Sequence, residues 1–181
     1  IWSSHWSDQG TIQKIRARKR HSPRLRCSQC SRKWMVLSMT KARERQKARR
    51  MLVQALYSWD LSGSDLESIE AQFHADNNMA KVDTNLFHDV LFGVAKNLAE
   101  VDGTFEPFLD RESDRLDPVS RAVLRVATYE MLYSIDVPYK VVINEGINLA
   151  KTYGPTDAYK YINGIVDQVA TMQRSVEVTA S

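Results

Sequence analysis

Cysteine is nearly absent from this 181-residue chain: it has two, Cys27 and Cys30, which form a CxxC, and none follows them. Disulfides therefore contribute nothing to residues 39–181, and a soluble protein in a reducing cytoplasm is the setting that follows. A zinc site would need a second pair of ligands and a redox motif a supporting helix. His21 is the nearest further ligand, so the CxxC reads as incidental and no metal is expected. Apolar runs approaching the ~20 residues that span a bilayer are also missing, and the first residues lack the apolar core of a signal peptide.

The usual parts of catalysis are scarce too. The four histidines are His5, His21, His74 and His88, and none belongs to an HExxH arrangement. There is no glycine-rich phosphate loop and no GxSxG, so nucleotide hydrolysis and covalent acyl chemistry lack their groups. No cofactor is implied. Glu130 follows Ala127-Thr128-Tyr129 on a largely apolar stretch. Without a catalytic neighbour it reads as a partly buried carboxylate in a structural hydrogen bond.

What the chain does have is polarised charge. The net charge of +3 hides nine basic and one acidic side chain in residues 1–38, six and one in residues 39–50, and ten and twenty in residues 51–181. A cationic segment on an anionic body suits a polyanionic partner, nucleic acid first, with a merely solvated basic tail as the alternative.

Hydrophobic residues make up 43% of the sequence, enough for a packed core, and their period is helical. Ala48, Met51, Leu52, Ala55, Leu56 and Trp59 predict a first helix from Lys41 to Leu61, stopped at Ser62-Gly63. Leu66, Ile69 and Phe73 mark a short second helix. Leu86 to Val101 define a long third, with Asp83 as its N-cap.

Phe105 to Leu109 suggest one turn, and Arg111 to Arg115 a linker. Asp117-Pro118 starts a helix that Asp136-Val137-Pro138 ends. A further helix runs from Tyr139 to Tyr153 and stops at Gly154-Pro155, where glycine would take the left-handed conformation. Thr156 or Asp157 would cap the last helix, which buries Tyr161, Ile162, Ile165, Val166, Val169 and Met172. No alternating β-branched strand is visible, so the fold class is all-α.

Residues 1–38 show no sustained period and read as a disordered basic extension. Met39, just before the patterned region, looks like the true start, and the residues before it an artificial addition or a misassigned start.

On the first helix, successive ~100° steps place Arg43, Lys47, Arg50, Gln54 and Tyr57 on one narrow stripe opposite the apolar face, with Lys41, Arg45 and Arg49 flanking that face. Packing the core leaves this ridge outside. Its cations can neutralise phosphates, Tyr57 offers a ring for stacking, and Gln54 offers a donor and an acceptor, a combination that fits single-stranded RNA. An ordinary solvated helix face is the alternative, but only Glu44 balances the positive charge. Lys151, Tyr153, Asp157, Tyr159, Lys160 and Tyr161 interleave around Gly154-Pro155 and would extend the same surface.

The arginine-rich helix leading into QALYSW, followed in order by FHDVLFGV, AVLRVATYEML, DVPYKVVINEGINLAK and YKYINGIVDQVA, resembles the NusB family over residues 39–175. The resemblance implies about seven helices in two small bundles, here residues 39–112 and 113–181, and no catalysis. It also implies a transcription antitermination role, chiefly on ribosomal RNA. Members bind boxA RNA with NusE, a small-subunit ribosomal protein, and the pair recruits further Nus factors to RNA polymerase.

Carried over position by position, the RNA role falls on Arg45, Lys47, Arg49, Arg50, Gln54, Tyr57, Tyr153, Asp157, Lys160 and Tyr161; Arg43 comes from periodicity alone. The NusE-facing positions match Asp114, Arg115, Ser120 and Arg121. Ser120 stands where the family usually has glutamate, so a charge contact to NusE is missing there. Gly146 stands where alanine is usual. Two rivals remain open: a NusB-like module of an RNA cytosine methyltransferase, and a helical homodimer that masks the basic helix.

Overall fold

The computed structural model describes the backbone of residues 28–180 and the side chains of residues 39–180. It is helical, with no strand among the described residues: α1 (Ser28–Ser62), α2 (Leu66–Asp76), α3 (Thr84–Lys96), α4 (Leu98–Phe105), α5 (Pro118–Tyr133), α6 (Tyr139–Tyr153), α7 (Ala158–Gln173) and α8 (Ser175–Thr179). Short 3-10 turns at Met79–Lys81, Glu106–Phe108 and Ser113–Arg115 fill the connections.

Aspartates start three of the helices. The carboxylates of Asp65, Asp83 and Asp117 accept from the backbone N–H of Ser68, Leu86 and Ser120 at 3.2, 3.1 and 3.0 Å, each satisfying a donor that the first turn leaves over. At the end of α1, Gly63 takes a φ of +62° and its N–H donates to the Trp59 carbonyl at 2.9 Å, as the Ser62-Gly63 stop requires.

The structure departs from the sequence reading at four places. First, α1 begins at Ser28 rather than Lys41, so residues 28–38, expected to hold no stable element, continue the helix. No glycine or proline interrupts Ser28 to Ser62, and extending an existing helix adds a bond per residue without a new nucleus. Residues 1–27, with Cys27 and His21, lie outside the described residues.

Second, the expected third helix divides at Asn97, whose side-chain amide and backbone N–H both donate to the Gly93 carbonyl at 2.9 and 3.1 Å. The asparagine competes for the backbone and closes α3 before α4 begins.

Third, Gly154 is extended (φ −78°), and the left-handed residue of that turn is Asp157 (φ +66°). Glycine is required for proximity instead: a Cβ on Gly154 would lie 2.6 Å from the Ala150 carbonyl oxygen. Asp157 holds the N-cap position of α7 without a side-chain cap bond. Fourth, within the buried face expected for α7, Tyr161 is only half-buried and Met172 is exposed, while Ile162, Ile165, Val166 and Val169 are buried as expected.

α5 organises the core. Every residue from Ala122 to Thr128 is buried, two full turns covered on all sides. Packed around it are α1, α3, α4, α6 and α7. One continuous apolar cluster therefore runs through residues on both sides of the expected division at 112/113.

A helix so enclosed carries two charges inward, Arg125 and Glu130, and each is matched. Arg125 grips Asp102 with two bonds of 2.9 and 2.7 Å and also reaches Asp60 at 2.9 Å. Glu130 accepts both bonds from Arg49 Nε, at 3.0 and 2.9 Å.

Candidate nucleic-acid interface

The apolar face of α1 turns Ala48, Leu52, Ala55 and Leu56 to the core. The opposite stripe follows by geometry: Arg43, Lys47, Arg50, Gln54 and Tyr57 are all exposed. None of the three cations forms an ion pair among the described residues, so their charge is presented to solvent and to any polyanion.

The flanking cations behave differently. Arg45 is 30% exposed and lies 3.6 Å from Asp83 and 3.4 Å from Asp136. Arg49 is 3% exposed and holds Glu130, with Glu145 3.9 Å away. Arg49, read as flanking the apolar face and carried into the RNA set by resemblance, is buried and holds an interior carboxylate instead. Glu130 has the structural role read for it, more deeply than expected. Burial pushes its carboxyl above the ordinary glutamate value, and the charge and hydrogen bond of Arg49 oppose that without reversing it.

The α6–α7 turn joins the stripe through one contact, the Gln54 side-chain amide donating to the Tyr153 hydroxyl at 3.2 Å. The turn itself is cationic and aromatic. Lys160 pairs with Asp157 at 3.0 Å. Tyr161 faces away from this group, since its hydroxyl donates to Asp110 at 2.7 Å and Arg111 lies over its ring at 5.5 Å.

Among the residues expected to face a protein partner, Asp114 and Arg115 are exposed on the 3-10 turn, and Arg115 pairs with Glu112 at 3.3 Å. Ser120 is 3% exposed, with its N–H and hydroxyl both donating to Asp117 at the start of α5. Arg121 is bound to Asp60 and donates to the Ser113 carbonyl at 3.1 Å. Asp60 accepts from both Arg121 and Arg125. Burial pushes its carboxyl up, yet the two guanidiniums together outweigh that and hold it below the ordinary aspartate value.

Sequence reasoning missed this network, although an arginine set between Leu124 and Val126 in an apolar run was a usable sign of an inward charge. It also missed Arg174. From the end of α7 this buried guanidinium donates to the carbonyls of Glu130, Met131, Ser134 and Val137 at 3.0, 2.9, 2.9 and 2.6 Å. Glu177 follows it in α8 and accepts from the Tyr139 N–H at 3.0 Å.

No group of three metal-ligating side chains exists among the described residues, and none of their helices is long and apolar enough to cross a membrane.

Known proteins share this fold. A solved NusB of T. maritima superposes with a TM-score of 0.64 at 31% identity, covering 74% of this chain and 96% of that one. A structure of the antitermination factors NusB and NusE in complex with dsRNA matches with a TM-score of 0.59 at 23% identity over 70% of this chain and 96% of that chain, a likeness of fold. Among curated proteins, the transcription antitermination protein NusB of Pseudomonas savastanoi pv. phaseolicola is 51% identical over 140 residues, covering 77% of this chain and 85% of its own length. That of Saccharophagus degradans is 53% identical over 140 residues, 77% of this chain and 93% of its own. The family model described as the NusB family matches residues 46–171, from the outward basic stripe to the end of the core of α7, and the chain belongs to that family.

Proposed function

We propose that this protein is a transcription antitermination factor that binds boxA RNA of nascent ribosomal transcripts together with NusE, and so helps assemble a processive complex on RNA polymerase with the other Nus factors. The reading is one of binding without catalysis. The observation that carries it is the row Arg43, Lys47 and Arg50, exposed and without ion pairs among the described residues on an otherwise acidic body, ending in Gln54 and Tyr57. A single strand laid along this row meets phosphate partners first and a donor and a ring next.

Lys160 and Tyr153 extend the row across the Gln54 contact. Arg45 contributes at the flank, and Arg49 supports the row from inside. For the NusE surface, Asp114 and Arg115 are the accessible candidates, with Arg121 fixing the turn behind them. In the proposed assembly, residues 39–112 supply the stripe and residues 113–181 the α6–α7 turn. Relatives matched over most of their own length bear the antitermination name, which favours this reading over the methyltransferase module.

The test is binding of the full chain to a short boxA RNA and to a scrambled RNA, with and without NusE, across a salt series. Preference for boxA that strengthens with NusE supports the proposal. Indifference to both sequence and NusE would leave only a generic basic helix.

A further inference from the structure

The α6–α7 turn holds one aromatic ring that the family resemblance does not assign. Tyr159 is half-buried, one part of its ring against the core. Two ammonium groups stand by the ring, Lys151 Nζ at 4.9 Å and Lys160 Nζ at 5.8 Å from its centroid. These lysines come from different helices. They converge because Gly154 lets the chain pass close to Ala150, and because Asp157, left-handed at φ +66°, turns the backbone into α7 while pairing with Lys160 at 3.0 Å.

The other tyrosines of the turn are engaged elsewhere: the Tyr153 hydroxyl with Gln54, Tyr161 with Asp110 and Arg111. Tyr159 has no hydrogen-bond partner for its hydroxyl among the described residues, and both lysines are exposed.

We propose that Lys151, Tyr159 and Lys160 form a single-nucleotide subsite for single-stranded RNA, in which one base stacks on the Tyr159 ring and the flanking phosphates take the two ammonium groups. This rests on the RNA-binding reading above and names a station within it. Exposed ammonium–ring contacts are weak, whereas an ammonium–phosphate bond is charge-assisted, so an arriving strand draws the lysines from the ring and opens its face. The Gln54–Tyr153 bond makes the station continuous with the α1 stripe, so one strand can occupy both.

The experiment is a cycle between ring and base. The full chain and its Tyr159→Leu, Tyr159→Phe and Lys151→Ala variants are titrated with a boxA RNA and with a series carrying one abasic nucleotide at each position in turn. Tyr159→Leu weakens binding of intact RNA about tenfold, within what one base–ring stack supplies. It has no effect on the RNA that is abasic at one particular position. Tyr159→Phe keeps wild-type affinity, and Lys151→Ala lowers the salt slope by about 0.7.

Should Tyr159→Leu melt below the assay temperature, Tyr159→Trp reads the same contact. Its added fluorescence is quenched by intact RNA and not by the RNA abasic at that position. Equal losses for every RNA in the series, or no loss while the wild-type chain binds boxA, would overturn the subsite. Failure of the wild-type chain to bind RNA at all would overturn the reading beneath it as well.

Discussion

Arg49 and Arg50 are neighbours in sequence, and α1 sends one to the core and the other to solvent. Their substitutions should separate cleanly. Arg49→Ala leaves Glu130 buried and unpaired, and should cost about 3–5 kcal/mol in urea unfolding at neutral pH. That loss should shrink as pH falls toward the ordinary glutamate value of 4.5, because Glu130, raised above that value by burial, is protonated on the way and no longer needs its partner. Arg50→Ala should change stability by no more than about 0.5 kcal/mol while lowering the salt slope of RNA binding by about 0.7. Two glycines give a second contrast. A Cβ on Gly146 would meet only Ala127 at an ordinary 3.6 Å, so Gly146→Ala should stabilise by about 0.5–1 kcal/mol. A Cβ on Gly93 would fall 2.1 Å from the Tyr129 hydroxyl, so Gly93→Ala should destabilise by about 1–3 kcal/mol, both by denaturant melts. The exposed stripe was legible because an amphipathic helix has one period and two faces. Whether Arg49 lay inside was not, since its partner Glu130 stands 81 residues away and no local pattern reports that pairing.

At the scale of elements, the aspartate caps at Asp83 and Asp117 and the stop at Gly63 were readable because each acts within a few residues of itself. The break at Asn97 was hidden inside an uninterrupted apolar period, since a side-chain amide competing for one carbonyl leaves the hydrophobic pattern unchanged. Gly154 announced a turn correctly but for a different physical reason, space rather than dihedral freedom. The same limit applies to α7 and α8, whose Arg174 and Glu177 fasten the end of α5 and the start of α6. Arg174→Ala should strip several buried carbonyls of their donor and cost about 2–4 kcal/mol. Hydrogen exchange should then show the first turn of α6 losing protection while α3 keeps its own.

For the whole molecule, the two interior charge systems titrate in opposite senses. Burial raises the Glu130 carboxyl, so the fold is favoured when it is protonated, and that stability fades as pH climbs from 4.5 through the raised value. Asp60, held low despite burial, contributes stability that is present above 3.8 and is lost as pH falls through its depressed value. The melting temperature followed against pH should therefore fall as pH drops below 3.8, and Asp60→Asn should remove part of that fall while lowering the melting temperature at neutral pH. Both systems tie α5 to α1 across the chain, which is why the core spans the two expected halves. The clamp of Arg174 also imposes an order in time. The carbonyls of Glu130 and Met131 await a guanidinium 44 and 43 residues downstream. A nascent chain emerging from the ribosome can wind α5 and cover much of it, but the corner after α5 stays open until residue 174 has been made, so the C-terminal half closes last, well after the basic helix has left the tunnel.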